Sequence, residues 1–187
     1  MKKLTTLLIL TLQLLGAVIS QEKYAVLITG EYAAKPEGFD STGHNDEEKG
    51  PMDEFWNDTF LMWELLQTKG FSPENIFVLY ADGIDYSIIN QSYSDRYRPD
   101  DGITVTDYDA TIESVELVFN GLTHGTLGFP KVTQDDFLFV FTHGFDAKKA
   151  NINTLINRID AKHIKTMFDT AFCQDKVLKL FTEMGMK

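Results

Sequence analysis

Three short, almost unbroken apolar runs limit this chain more than any other feature. They are Lys23-Tyr-Ala-Val-Leu-Ile-Thr29, Ile76-Phe-Val-Leu-Tyr80 and Phe137-Leu-Phe-Val-Phe-Thr142. Each is short for a helix and lacks the polar alternation of a strand with one wet face. Each therefore reads as a strand buried on both faces, as in a parallel sheet. Parallel neighbours need long crossovers, and the sequence between the runs supplies them. Pro51 suits a helix start, with Asp53 and Glu54 in the first turn where the helix dipole favours anions. Phe55, Trp56, Thr59, Met62, Trp63 and Leu66 recur at helical spacing up to a stop at Lys69-Gly70. Ser72-Pro-Glu-Asn75 is a turn. Asp109 is expected to cap a helix from Ala110 to Asn120, closed by Gly121. A further helix, about Ile159 to Phe172, is expected before a last strand, Val177 to Thr182. Residues 31–50 and Ile84 to Tyr108 read as long loops. This alternation implies an α/β fold with a mainly parallel sheet and right-handed crossovers. No repeat, low-complexity segment or linker divides it.

The N-terminus has a different composition. Lys2 and Lys3 precede an apolar stretch, Leu4 to Ile19, and Val18-Ile19-Ser20 leads into polar Gln21-Glu22-Lys23. That is the layout of a signal peptide over residues 1–20, cleaved after Ser20. An uncleaved anchor is the alternative, but the run is short against the roughly 20 apolar residues of a span. Residues 21–187 then form one domain in a secreted, periplasmic or secretory-lumen protein, with no membrane contact after cleavage. The first twenty residues hold two of the 17 lysines and arginines and none of the 28 acids. The remainder carries 15 against 28, a net −13. Such a charge argues against nucleic acid as a partner, because those binders display basic faces. With 43% hydrophobic and 12% aromatic residues, the chain has enough apolar surface for a core and is not a disordered acidic segment. Cys173 is the only cysteine, which excludes an intrachain disulfide and a zinc site built on several thiolates.

Ligands of open parallel sheets meet the carboxyl ends of the strands. The run ending at Thr142 delivers His143 and Gly144 to that edge. A histidine there can act as general base, and glycine lets backbone approach a substrate closely; a turn histidine bonding a neighbouring carbonyl is the other reading. His124 makes a useful control, since Thr123-His124-Gly125 repeats the triplet of Thr142-His143-Gly144 but follows a helix. His44 lies in the first long loop and His163 falls on the surface of the expected last helix. Eight carboxylates and one lysine lie between Glu37 and Asp58. Their spacing does not match an EF-hand, so they read as a solvated acidic face and imply no metal. Nothing in the sequence calls for a cofactor. Asn57-Asp-Thr59 and Asn90-Gln-Ser92 are glycosylation sequons, of which Asn90 is better placed in a loop.

The order of these elements resembles a known family. Tyr24 to Gly30, Trp56 to Phe71, Pro73 to Asp82 and then Asp135-Asp-Phe-Leu-Phe-Val-Phe-Thr-His-Gly144 are together similar to the front half of a legumain-type cysteine peptidase. The resemblance implies a caspase-like three-layer sandwich and a polypeptide substrate or peptide ligand. It also implies a thiolate nucleophile assisted by His143, with Gly144 completing the His-Gly motif. In that family the cysteine ends the next strand and is followed closely by Ser-Gly. With Val177 to Thr182 taken as that strand, Met184-Gly-Met-Lys187 follows it, without cysteine or Ser-Gly. Cys173 would then precede the strand and lie at the opposite sheet edge, about 17–20 Å from His143. The sequence expectation is therefore a sheet incomplete at its C-terminus, and an inactive fragment or pseudopeptidase. An exported, non-catalytic peptide- or protein-binding module is the alternative.

Overall fold

The computed structural model describes residues 21–30, 54–85, 87, 104–144 and 150–169. The expected signal peptide, His44, Asn90, Cys173 and the run from Val177 to Thr182 lie outside the described residues.

Four strands form one parallel sheet: β1 (Lys23–Thr29), β2 (Ile76–Tyr80), β3 (Phe137–His143) and β4 (His163–Asp169). Their order across the sheet is β2-β1-β3-β4. Three helices connect them: α1 (Glu54–Thr68), α2 (Ile112–His124) and the short α3 (Ile152–Ile156). Pro73–Asn75 is a single 3₁₀ turn leading into β2.

Strand order explains where the helices lie. The chain passes from β1 outward to β2, then reverses and crosses over β1 to reach β3 and β4. Right-handed crossovers made in opposite directions put their helices on opposite faces. Accordingly α1 covers one face, where Trp56, Phe60, Trp63 and Leu66 pack on Ala25, Leu27, Val78, Phe139 and Phe141. On the other face Val115, Val118, Phe119 and Leu122 of α2, with Ile152, Leu155 and Ile156 of α3, pack on Val26, Ile28, Leu79, Leu138 and Val140. The result is three layers around a sheet whose central strands are buried on both faces, as the unbroken apolar runs require.

Two sequence expectations are corrected. The second helix does not stop at Gly121 but runs on to His124, with Thr111 as its N-cap and left-handed Gly125 after its end. Gly121 instead marks a close approach, since a Cβ there would sit 2.3 Å from Phe129 Cδ2. More consequentially, the helix expected from about Ile159 to Phe172 is not formed over its described part, Ile159 to Asp169. Ile159 closes the turn after α3, and His163–Asp169 pairs with β3 along its full length. Ile164, Met167 and Phe168 have near-helical spacing. The available edge of β3 and the β-branched Ile164 and Thr166 outweigh that local pattern, as tertiary pairing commonly does. His163 begins a strand rather than decorating a helix.

At the other edge, residues 105–108 lie along β2. Leu79 bridges Tyr108, Asp107 N–H donates to the Val78 carbonyl, and Val78 N–H donates to Asp107 Oδ2 at 2.8 Å. Asp107 keeps an exposed flank, but its carboxyl group is pushed up to about 6 by burial and, less, by Asp85, against the lowering effect of the Val78 bond.

Candidate functional site

The carboxyl ends of the four strands form one row, because Thr29 is in register with both Tyr80 and His143, and His143 with Asp169. Within that row, β1 and β3 are adjacent strands whose onward connections leave for opposite faces, β1 to α1 and β3 to α3. A crevice opens at such a reversal, and open α/β sheets bind their ligands there. His143 and Gly144 stand on one side of it. Gly30 stands on the other, its N–H donating to the His143 carbonyl at 2.9 Å. The sequence expectation for the position of His143 is met.

The imidazole is only 4% exposed and belongs to the α1 face, in line with Phe137, Phe139 and Phe141 below it on the strand. The Phe55 ring lies tilted beside it at a centroid distance of 4.5 Å, and Phe141 stacks at 6.1 Å. Nε2 faces Asp58 Oδ2 at 3.4 Å, looser than a tight hydrogen bond. Nδ1 is shut off from bulk water. Asp58 itself is part-exposed, so the pair is a buried base with one partner reaching solvent.

A buried threonine pair fixes this geometry. Thr59 Oγ1 donates to the Phe55 carbonyl at 2.7 Å, which uses its single proton. Thr29 Oγ1, 2.6 Å away, must then donate to Thr59. The start of α1 is thereby tied to the end of β1, setting Phe55 and Asp58 over His143. Gly144 completes the fit. Its φ is +61°, and a Cβ would meet Phe55 Cε1 at 2.5 Å, so any larger residue would both strain the backbone and displace the ring.

Asp58 and Phe55 are the site residues that sequence reading missed. Asp58 was grouped with a solvated acidic face, and Phe55 was read only as core. The available signal was spacing: Asp58 lies three residues after Phe55 and one before buried Thr59, so it borders the apolar stripe. The Asn57 sequon is also put in context, because its Thr59 hydroxyl is buried and bonded on both sides.

The strand at 163–169 changes the setting of Cys173. The expectation that it lies at the far edge concerns a residue outside the described ones, and its premise was the helix that β4 replaces. Cys173 follows Asp169 by four residues, and four residues reach at most about 14 Å. Asp169 is the register partner of His143 on the neighbouring strand, about 4.8 Å away across the ladder. A residue four positions after Asp169 is therefore within chain reach of the His143 edge.

Among the described residues, no group of three or more His, Cys, Asp or Glu gathers to hold a metal, and no helix is long and apolar enough to cross a membrane. Compared with known proteins, the chain matches no family model, no curated protein and no solved structure.

Proposed function

We propose that this protein is an exported cysteine-peptidase-like hydrolase of the legumain type, with His143 as proton-transfer base and Cys173 as nucleophile. The observation that supports this reading is the His143–Asp169 register, which sets the end of β4, four residues before the only cysteine in sequence, beside the buried histidine. In the reaction, His143 takes the thiol proton and the sulfur attacks a peptide carbonyl. The proton passes to the leaving amine, and water then hydrolyses the thioester. The backbone N–H of Gly144, beside the crevice, is the candidate donor for the oxyanion. The −13 balance of residues 21–187 disfavours nucleic acid as a partner.

A second reading, a peptide-binding module without turnover, is favoured by one observation. Asp175-Lys176 stands where Cys-x-Ser-Gly would place Ser-Gly after Cys173. One experiment separates the two. The purified chain from Gln21 onward is treated with peptides bearing an acyloxymethyl ketone, and the modified residue is located by mass spectrometry. The peptidase reading expects covalent modification at Cys173 and hydrolysis of matched peptides. Reversible binding with no adduct would establish the binding module instead.

A further inference from the structure

We infer that Asp58 is the positioning residue of this site, holding neutral His143 with its proton on Nε2 so that Nδ1 is the basic nitrogen. The inference rests on the proposed role of His143 but concerns a different residue and is tested by a separate readout. Neutral imidazole carries one proton, and its position follows from the partner each nitrogen faces. An ionised carboxylate only accepts, and Asp58 Oδ2 faces Nε2 at 3.4 Å. The proton on that side is therefore stabilised, and a lone pair there is repelled. The other nitrogen, Nδ1, is closed to bulk water.

The surroundings strengthen this contact. Phe55 and Phe141 flank the imidazole, and a low local dielectric increases the interaction of a carboxylate with an N–H dipole. Phe55 and Asp58 share one face of α1 three residues apart. The Thr29–Thr59–Phe55 chain of hydrogen bonds holds that face in place. Gly144 leaves room for the Phe55 ring. Ring, carboxylate and imidazole are thus fixed by one device, and Asp58 need not touch a substrate to act.

The test uses the chain from Gln21 onward, labelled with ¹⁵N, at about pH 9, where a histidine of ordinary pKa is neutral. Long-range ¹H–¹⁵N spectra report which ring nitrogen carries the proton. The expected result is an Nε2–H form for His143, with that proton protected from solvent exchange. Asp58→Ala, at a part-exposed helical position that alanine suits, should expose a measurable Nδ1–H population and speed exchange at least tenfold. Asp58→Asn keeps an acceptor and the side-chain volume, and should restore the Nε2–H form. His124 in the same spectra should not change. An Nδ1–H form in the wild type, or spectra unaltered by Asp58→Ala, would overturn the inference. Equal effects of Asn and Ala would also overturn it, because they would point to packing alone. None of these readings depends on turnover or Cys173 labelling, so a failure of the peptidase reading shows itself separately.

Discussion

Thr123-His124-Gly125 and Thr142-His143-Gly144 have the same three residues and both end in a left-handed glycine, with φ of 67° and 61°. Their surroundings differ in nearly every other respect. The first ends α2, which runs back toward the amino ends of the strands, and its histidine is exposed. Its glycine does ordinary helix-ending work, with the Gly125 N–H returned to the Gly121 carbonyl at 2.7 Å. The second ends a central strand at the sheet's point of reversal, and its histidine is buried between aromatic rings beside a carboxylate. A tripeptide therefore carries no chemistry of its own. The element that precedes it decides which edge of the sheet it reaches.

The largest expected difference between the triplets is kinetic. His143→Ala should slow labelling of Cys173 by a peptide electrophile about 100-fold or more, the usual contribution of a general base. His124→Ala should leave the rate unchanged, and equal rates in both variants would erase the distinction. Next come the glycines. Gly144→Ala combines a left-handed backbone with a contact to an anchored ring, and should cost about 2–4 kcal/mol in denaturant unfolding. Gly125→Ala meets Lys131 Cβ at 2.8 Å, an atom that moves only with its backbone, and should cost about 2–3 kcal/mol. The threonine tie is smaller. Thr59→Val removes a buried hydroxyl that both accepts and donates, and should cost about 1–2 kcal/mol. It should also loosen Phe55, which is checked by the chemical shifts of the His143 ring.

The smallest effect lies away from both triplets and has the opposite pH sign to an ordinary ion pair. The Asp107 carboxyl is raised to about 6 in the fold, so the folded chain binds its proton more tightly than the unfolded one. Its contribution to stability is fully present below about pH 4 and is lost as pH rises through about 6. Asp107→Asn should therefore flatten the gain in melting temperature on acidification from pH 7 to pH 5. Water at the exposed flank of Asp107 keeps the change small. A steeper gain in the variant would show that Asp107 is not the group responsible.

Much of the sheet was legible because its strands are unbroken apolar runs with turn residues at both ends. β1, β2 and β3 follow from the runs Lys23–Thr29, Ile76–Tyr80 and Phe137–Thr142 with almost no shift, and the place of His143 follows from β3. The fourth strand was not legible, because Ile164, Met167 and Phe168 fit a helical stripe as well as an edge strand. Only pairing with β3 decides between them. The far-edge expectation for Cys173 rested on that helix, and Cys173 itself lies outside the described residues. Asp58 was hidden for another reason. A carboxylate in an acidic stretch looks solvated, and nothing local announces that the Thr29–Thr59 bond turns this one toward a buried imidazole.

The proposed function requires Cys173 to reach His143, and a disulfide trap tests that requirement most directly. His143→Cys and, as control, His124→Cys are each left with native Cys173 under mild oxidation. A disulfide closes only when the two Cα atoms come within about 4.4–6.8 Å. The account predicts rapid formation of a 143–173 bridge and none between 124 and 173. A 124–173 bridge, or no bridge from position 143 in a folded protein, would contradict it.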